Sequence, residues 1–281
     1  MTWHSHRSRI FGAVRAGVIA IPLAFALAGC DMSLGNLSER ATDEWTHTYP
    51  LKAGGEVHIA NTNGRVDIEG VDGATVEVRA ERIAKGSTEA AAKELLPRIV
   101  IKEDATPDRV SVETEKLGGI MIGASTEVRF HVKAPRNAVY TITNTNGLIS
   151  LKDITGKVSA HTTNGGVRGT ALGGGVDART TNGGVTIDMA SVGSDKIYLS
   201  TVNGGVTLGV PETAKADVLA TCTNGGINVS GLKMEVSEQS RRRVEGKMNG
   251  GGTSIELSTV NGGVRLRPRS TATPKDTDHE P

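Results

Sequence analysis

Aromatic residues are scarce in this sequence, since Phe, Trp and Tyr together make up 3% of its 281 residues. A thick globular core filled by large rings is therefore excluded, because aromatic side chains bury more area than any other type. Glycine, by contrast, occurs 36 times. The composition favours a thin core of Val, Ile, Leu, Ala and Thr that is stacked in layers.

Cysteine is almost absent, because the chain has only Cys30 and Cys222. If Cys30 is modified, as argued below, Cys222 has no partner within the chain. A structural disulfide is then not expected even in an oxidising compartment. Cys222 occupies a position that threonine holds in other copies of a repeat, which favours a small buried residue over a redox role.

Neither sign of charge dominates, since the chain has 32 Lys and Arg against 31 Asp and Glu. Removal of residues 1–29, which contain three Arg and no acid, would leave a net charge of 29 − 31 = −2. Nucleic-acid binding depends on Lys and Arg that neutralise phosphates. No nucleic-acid partner is therefore expected.

Motifs for catalysis and metal binding are missing as well. The sequence has no Gly-x-Ser-x-Gly nucleophile motif. Asp153, Asp177 and Asp188 fall at dissimilar positions of the repeat, so they single out no carboxylate pair for glycoside hydrolysis. The histidines of the mature chain, which show no metal-ligand spacing with one another, are His47, His58, His131, His161 and His279. The sequence thus predicts no catalytic residue, no metal site and no cofactor, and a protein that is not an enzyme.

The amino terminus has the pattern of a secretory signal. Arg7, Arg9 and Arg15 precede an apolar run over residues 16–28, which is too short to span a bilayer comfortably. The run ends in Leu27-Ala28-Gly29-Cys30, which resembles the lipobox of bacterial lipoproteins. We therefore expect a signal peptide over residues 1–29, lipidation of Cys30, and a membrane-anchored protein of the extracytoplasmic cell envelope. An ordinary signal peptide with a chance cysteine, or an uncleaved anchor, is the alternative.

A short phrase recurs in the second half of the chain: a Thr or Cys, one further residue, Asn-Gly-Gly, then Val or Ile. Looser copies lie at Asn63-Gly64, Asn146-Gly147 and Asn249-Gly250. Gly and Asn tolerate positive φ better than other residues, so the phrase predicts a sharp corner between two strands. The five full copies have their corners at Asn164-Gly165, Asn182-Gly183, Asn203-Gly204, Asn224-Gly225 and Asn261-Gly262.

Two folds are compatible with such corners. Asn-Gly is a strong hairpin signal, which would give an antiparallel β-sandwich. Repeats of about 20 residues are instead typical of a solenoid, in which each Asn lies above the next and their amides are hydrogen-bonded along the row. We favour an all-β, parallel β-helix-like solenoid with one short helical insertion. It predicts a single column formed by Val167, Val185, Val206 and Val264.

The rest of the chain is divided by its composition. Residues 30–50 are polar and predict a tether, 51–267 the solenoid domain, and 268–281 a disordered tail. A helix is predicted over residues 87–96, capped by Ser87 and ended by Pro97. An insertion at 233–247 contains Arg241, Arg242 and Arg243. These arginines could bind an anionic sugar or a phosphate, but such a run is more typical of a solvated loop.

The order of these elements resembles a bacterial family of adhesin-like domains of unknown function, itself similar to the head domains of autotransporter-adhesin-like proteins. The resemblance covers about residues 50–267. It rests on Asn61-Thr62-Asn63-Gly64 before Val66-Asp67-Ile68, the helical insertion near Ala90, the strand before Ala134-Pro135 and the run of Thr-Asn-Gly-Gly copies. It implies a β-solenoid exposed on the cell envelope and supplies no catalytic residue.

Three functions follow as hypotheses. The first is a non-enzymatic envelope lipoprotein that binds a glycan or protein partner, in which adhesion, scaffolding and envelope-stress sensing are not separated by the sequence. The second is a self-assembling surface fibre, because the ends of a solenoid are open edges. The third is a carbohydrate-active enzyme built on a β-helix.

Overall fold

A computed structural model describes residues 39–115 and 123–269, all within the unit Gly35–Pro281. The signal peptide, Cys30 and residues 270–281 of the predicted tail lie outside the described residues. The strands are β1 (Glu39–Pro50), β2 (Glu56–Asn63), β3 (Val66–Val71), β4 (Thr75–Gly86), β5 (Ile101–Thr106), β6 (Arg109–Thr114), β7 (Ala124–Pro135), β8 (Val139–Asn146), β9 (Ile149–Lys152), β10 (Val158–Asn164), β11 (Val167–Leu172), β12 (Val176–Asn182), β13 (Val185–Met189), β14 (Ile197–Asn203), β15 (Val206–Val210), β16 (Ala216–Asn224), β17 (Ile227–Val229), β18 (Met234–Gln239), β19 (Arg243–Met248), β20 (Thr253–Asn261) and β21 (Val264–Pro268).

The predicted helical insertion is α1 (Glu89–Leu95), followed by a 3-10 turn over Leu96–Arg98 that contains Pro97. Its cap is Thr88 and not the predicted Ser87. Thr88 has extended backbone angles, and its hydroxyl accepts the amide hydrogen of Ala91 at 3.1 Å. The cap therefore satisfies one of the amides that a helix start leaves without a partner.

The strands form two sheets. In sheet A the order is β1-β4-β7-β3-β9-β11-β13-β15-β21-β17, and in sheet B it is β18-β19-β16-β20-β14-β12-β10-β8-β2-β6-β5. Each Asn-Gly corner joins a strand of sheet B to the next strand of sheet A, and such a pair is called a coil below. The coils are β2–β3, β8–β9, β10–β11, β12–β13, β14–β15, β20–β21 and β16–β17, in their stacking order.

Neighbouring coils pair in parallel and in register, as a β-solenoid-like fold requires. Val167 pairs with Val185, Val185 with Val206, and Val206 with Val264. All four valines are at most 2% exposed, so they form the predicted core column. Burial of each such side chain contributes about 1.5–3 kcal/mol. The alternative of an antiparallel sandwich is wrong for these coils, although antiparallel strands do occur at both ends.

The last two coils are stacked out of sequence order. β20–β21, the later coil, inserts between β14–β15 and β16–β17. Asn249-Gly250 is therefore not a corner of the repeat, because it lies in the connection between β19 and β20. The insertion at 233–247 is largely the hairpin of β18 and β19, which pairs antiparallel to β16 and covers the end of sheet B.

The other end of the solenoid is also covered by antiparallel strands. β4 pairs antiparallel to β7 in sheet A, and β5 pairs antiparallel to β6 in sheet B. The prediction of a tether through residue 50 is wrong for residues 39–50, which form β1 and pair with β4 along their whole length. Ala41 and Tyr49 are buried on its inner side and Trp45 packs against the core, so this segment contributes to folding.

The core between the sheets is mainly aliphatic, as the composition predicted. Its largest fully buried side chains include Tyr140 and Phe130. The Tyr140 hydroxyl donates to the carbonyl of Pro135 at 2.7 Å, and burial raises the pKa of this phenol. Among the described residues, no helix is both long enough and apolar enough to cross a membrane.

Candidate functional site

The asparagines of the corners form one continuous row of side-chain amides. Each Nδ2 donates to the Oδ1 of the asparagine in the preceding coil, at distances from 2.6 to 2.9 Å. The amides point in one direction, so each hydrogen bond polarises the next. The row, called the Asn ladder below, consists of Asn63, Asn146, Asn164, Asn182, Asn203, Asn261 and Asn224 in stacking order.

The glycine after each asparagine permits the close approach of neighbouring corners. Gly183 has φ of +152°, and a Cβ there would lie 2.1 Å from the carbonyl oxygen of Gly165. At the last coil, a Cβ on Gly225 would lie 1.8 Å from the carbonyl oxygen of Gly262. A side chain at either position would force the stacked backbones apart.

In four of the coils a buried threonine lies two residues before the ladder asparagine: Thr162, Thr180, Thr201 and Thr259. The first two coils have the buried Asn61 and Asn144 at this position. Thr180 Oγ1 donates to the carbonyl of Gly165 at 2.7 Å, and Thr201 Oγ1 to that of Gly183 at 2.8 Å. Cys222 takes this position in the outermost coil, where its Sγ lies 3.7 Å from the carbonyl oxygen of Arg241. The repeated polar groups of the corners are thus used by the fold itself, which leaves them few hydrogen bonds for a ligand.

The outer face of sheet A carries side chains that do not repeat from coil to coil. Near the first coils it forms a shallow groove of about 400 Å³ between β4, β7, β3 and β9. A second groove of about 580 Å³ shares Asp67 and His131 with it. The lining of the first groove consists of Asp67, Ile68, Glu69, Glu77, Arg79, His131, Val132, Lys133, Ser150 and Lys152.

Several charges of this groove are paired across strands. Lys152 Nζ lies 2.9 Å from Glu69, His131 Nδ1 lies 3.5 Å from Asp67, and Arg79 is paired with Glu44. The hydrogen bond and the charge of Lys152 hold the pKa of the Glu69 carboxyl below its ordinary value. The groove therefore offers acidic and basic side chains to a polar ligand.

The three aspartates considered for catalysis are not brought together. Asp153 lies in the turn after β9, Asp188 on the outer face of sheet A, and Asp177 on sheet B. Asp177 instead shares a cross-strand row with Tyr198 and Glu256. In this row the two carboxylates lie on either side of an aromatic ring.

Both carboxylates of that row are engaged by cations. Asp177 accepts two hydrogen bonds from Arg179, each at 2.7 Å, and Glu256 lies 2.6 Å from Lys196 Nζ. The Arg179 guanidinium also covers the Tyr198 ring, 4.6 Å from its centroid. Burial alone would raise the pKa of Asp177, but Arg179 and His161 outweigh it and lower that pKa. A general acid needs the opposite shift, so Asp177 is poorly suited to that role.

The predicted arginine run does not converge on one point. Arg243 is paired with Glu238 at 2.8 Å and with Glu245 at 2.7 Å, while Arg241 and Arg242 lie at the exposed tip of the β18–β19 hairpin. Within residues 39–115 and 123–269, no group of three His, Cys, Asp or Glu side chains could hold a metal ion.

Sequence reasoning missed an aromatic row on β1. The Trp45 ring stacks on His47 with centroids 4.4 Å apart, and His47 Nδ1 lies 2.8 Å from Glu103 on β5. The Tyr49 hydroxyl also donates to Glu103. The period-two spacing of these three rings was the available signal. Through His47 and Tyr49, the row of rings joins β1 of sheet A to Glu103 on β5 of sheet B at this end of the solenoid.

Comparison with known proteins finds solved structures that are similar to this chain. No curated protein matches it. A "putative cell adhesion protein" from Clostridium sporogenes is 15% identical, with 82% of this chain and 100% of that one covered and a TM-score of 0.46. A "putative adhesin" from Bacteroides fragilis is 8% identical, with 80% and 97% covered and a TM-score of 0.36. A further "putative adhesin", from Parabacteroides merdae, is 9% identical, with 82% and 96% covered and a TM-score of 0.25.

The sequence of the chain also matches a protein family. The Toastrack DUF4097 family matches residues 51–267, which include every corner of the Asn ladder. The chain belongs to the Toastrack DUF4097 family.

Proposed function

We propose that this protein is a lipid-anchored binding module of the cell envelope that performs no catalysis and contacts a surface glycan or protein through the outer faces of its strands. The observation that carries the proposal is the division of side chains between corners and faces. The corners repeat, and their amides, hydroxyls and carbonyls bind one another. The outer face of sheet A has unrepeated charges and wide, shallow grooves.

The anchor is the second part of the proposal. Leu27-Ala28-Gly29-Cys30 directly follows an apolar run of signal-peptide length. A modified cysteine with several acyl chains would hold the protein at a membrane stably, whereas one chain binds reversibly. The solenoid would then begin within about ten residues of the bilayer surface, since β1 starts at Glu39.

A self-assembling fibre has less support, because three of the four sheet edges are unsuited to pairing with another copy. β5 carries Lys102, Glu103 and Asp104, and β18 has a register shift and exposed glutamates. The edge strand β17 has only three residues. Charges, bulges and short strands are the devices that protect sheet edges from edge-to-edge association.

An enzyme has less support for a different reason. The row of Asp177, Tyr198 and Glu256 is the best candidate for a glycosidase pair, but both carboxylates are neutralised by ion pairs. The pKa of Asp177 is lowered, which opposes proton donation to a leaving group.

Lipidation and location are tested by expressing the full chain and a Cys30→Ser variant. Mass spectrometry of the amino-terminal peptide should show acyl chains on Cys30, and membrane fractionation should recover the parent chain with the membranes. The Cys30→Ser chain should be released from them. An unmodified Cys30 in the parent, or equal membrane recovery of both chains, would contradict the anchor.

Binding is tested by a pull-down from the native envelope with the lipidated chain. The proposal expects one envelope polymer or protein to be enriched over the Cys30→Ser control. Recovery of only further copies of the same chain would support the fibre instead.

A further inference from the structure

The outer face of sheet A changes character toward the last coils. One cross-strand row there runs from Arg168 on β11 through Thr186 on β13 and Thr207 on β15 to Arg265 on β21, with Ser150 and Asn228 as its outer neighbours. Both arginines are exposed. Neither has a hydrogen-bond or carboxylate partner among the residues that the structure describes. Two guanidinium groups are therefore presented to solvent with two threonine hydroxyls between them.

The next row along the strands lies on the same face as the first and adds a further arginine. It consists of Thr170, Asp188, Gly209 and Arg267. A Cβ on Gly209 would lie 2.0 Å from Asp188 Oδ1 and 3.0 Å from an Arg267 nitrogen. The glycine thus leaves room for Arg267 to reach across β15 to Asp188, with both of its contacts at 3.0 Å.

The charge balance of this area is positive. Arg168, Arg265, Arg267 and Arg269 face a single acid, Asp188, which gives 4 − 1 = +3. The groove near the first coils, by contrast, has acids and bases paired with each other. The positive area therefore stands out on a protein whose mature charge is expected to be −2.

We propose that this area, called the arginine face below, binds a linear acidic polysaccharide that runs along the stack of coils. Arg168 and Arg265 are three strands apart, which places their Cα atoms about 14 Å from each other. Guanidinium groups bind carboxylates with two parallel hydrogen bonds. Thr186 and Thr207, between them, can donate to and accept from sugar hydroxyls.

The chemistry of the face favours a polysaccharide over the other polyanions. None of the described side chains in these two rows is aromatic, and single-stranded nucleic acids are bound largely by stacking on aromatic rings. The rows also have no large apolar side chain that could insert into a lipid surface. Neutral hydroxyls between two cations match a polymer of sugars that carries carboxylates at intervals.

This inference rests on the proposed binding function but not on the lipid anchor. The test uses the full mature chain in detergent and polygalacturonate as the probe, with dextran as the neutral control polymer. Titration calorimetry compares the parent, an Arg168→Ala/Arg265→Ala variant and an Arg241→Ala/Arg242→Ala variant. The last loses the same charge from an exposed position on the β18–β19 hairpin.

We expect saturable binding of polygalacturonate by the parent and no binding of dextran. Affinity should fall about tenfold or more in the Arg168→Ala/Arg265→Ala variant, as expected when charged hydrogen bonds are lost, and stay within twofold in the hairpin variant. Equal losses in both variants, equal affinity of the parent for a DNA oligonucleotide, or no saturable binding would overturn the proposal. Because binding is measured with purified chain, any of these results leaves the test of Cys30 lipidation unaffected.

Discussion

The corners and the outer face of sheet A belong to the same coils, yet they use their side chains in opposite ways. At the corners every coil presents an asparagine followed by a glycine, and four coils add the same inward threonine. These amides and hydroxyls are hydrogen-bonded to the neighbouring coil. On the outer face, the residue that pairs with Arg168 is a serine in one neighbouring coil and a threonine in the other.

The difference shows that, within one repeat, the corner side chains stabilise the fold while the side chains of the outer face are left exposed for binding. A repeated corner needs an identical neighbour, so substitution there disturbs two coils. A residue on the outer face contacts solvent, so it can vary from coil to coil at little cost to stability. Substitutions should therefore lower the free energy of unfolding strongly at corners and weakly on the face.

The largest effect is expected for Gly183→Ala. The added Cβ would meet the carbonyl oxygen of Gly165 at 2.1 Å, so the stacked backbones must separate. The free energy of unfolding should fall by about 3 kcal/mol, as for other strained backbone sites. Urea denaturation measures this loss. Gly226→Ala is the matched control, because its Cβ would meet no atom within 4 Å. If the two variants lost the same stability, the close approach at Gly183 would not be the cause of the loss.

A smaller loss is expected for Thr201→Val. The valine keeps the shape of the side chain but removes the hydroxyl that donates to Gly183 at 2.8 Å, and the site is only 2% exposed. A buried carbonyl without its donor costs about 1–3 kcal/mol. Thr163→Val, at an exposed position of the same repeat, should change stability by less than about 0.5 kcal/mol. Thermal unfolding of both variants distinguishes the inward from the outward threonine.

The Asn ladder should contribute less because it lies at the surface. Asn182→Ala removes two ladder hydrogen bonds, of 2.8 and 2.9 Å, and should cost about 1–2 kcal/mol. Asn224→Ala removes one ladder bond at the end of the row and should cost about half as much. If the end position is at least as costly as the middle one in urea denaturation, the amides do not act as a ladder.

The smallest effect expected at a corner is an increase in the free energy of unfolding. Cys222 takes the threonine position of the outermost coil but has only a 3.7 Å sulfur contact to the carbonyl of Arg241. Cys222→Thr should restore a donor toward the Gly262 carbonyl and raise the free energy of unfolding by about 0.5–1 kcal/mol. Cys222→Ser, which has the hydroxyl without the methyl group, should gain less. A loss with both variants would indicate that the site requires sulfur.

The same contrast explains what the sequence could predict. Repetition identified the corners and the Val167 column, because each follows from one unit and its neighbour. It could not give the order of the last two coils, since β20–β21 and β16–β17 carry the same phrase and fit either place. Asn249-Gly250 was misassigned because Asn-Gly also occurs in ordinary turns, here the one between β19 and β20.

The unrepeated parts were predicted less well. β1 was taken for a tether because its outward residues are polar, and its strand character depends on the partner strand β4. The Lys196–Glu256 ion pair, the contact of Arg179 with the Tyr198 ring and the arginine face depend on cross-strand register. Register pairs the residues of these rows over separations of 18 to 58 positions, which no local pattern reveals.

The most direct test of this division is the free energy of unfolding of the Arg168→Ala/Arg265→Ala variant, measured beside Gly183→Ala by urea denaturation. Removal of two exposed arginines should leave stability within about 0.5 kcal/mol of the parent, while the single added methyl group at the corner costs about 3 kcal/mol. A loss in the arginine variant as large as that in Gly183→Ala would contradict the account, because the outer face would then be part of what holds the coils together.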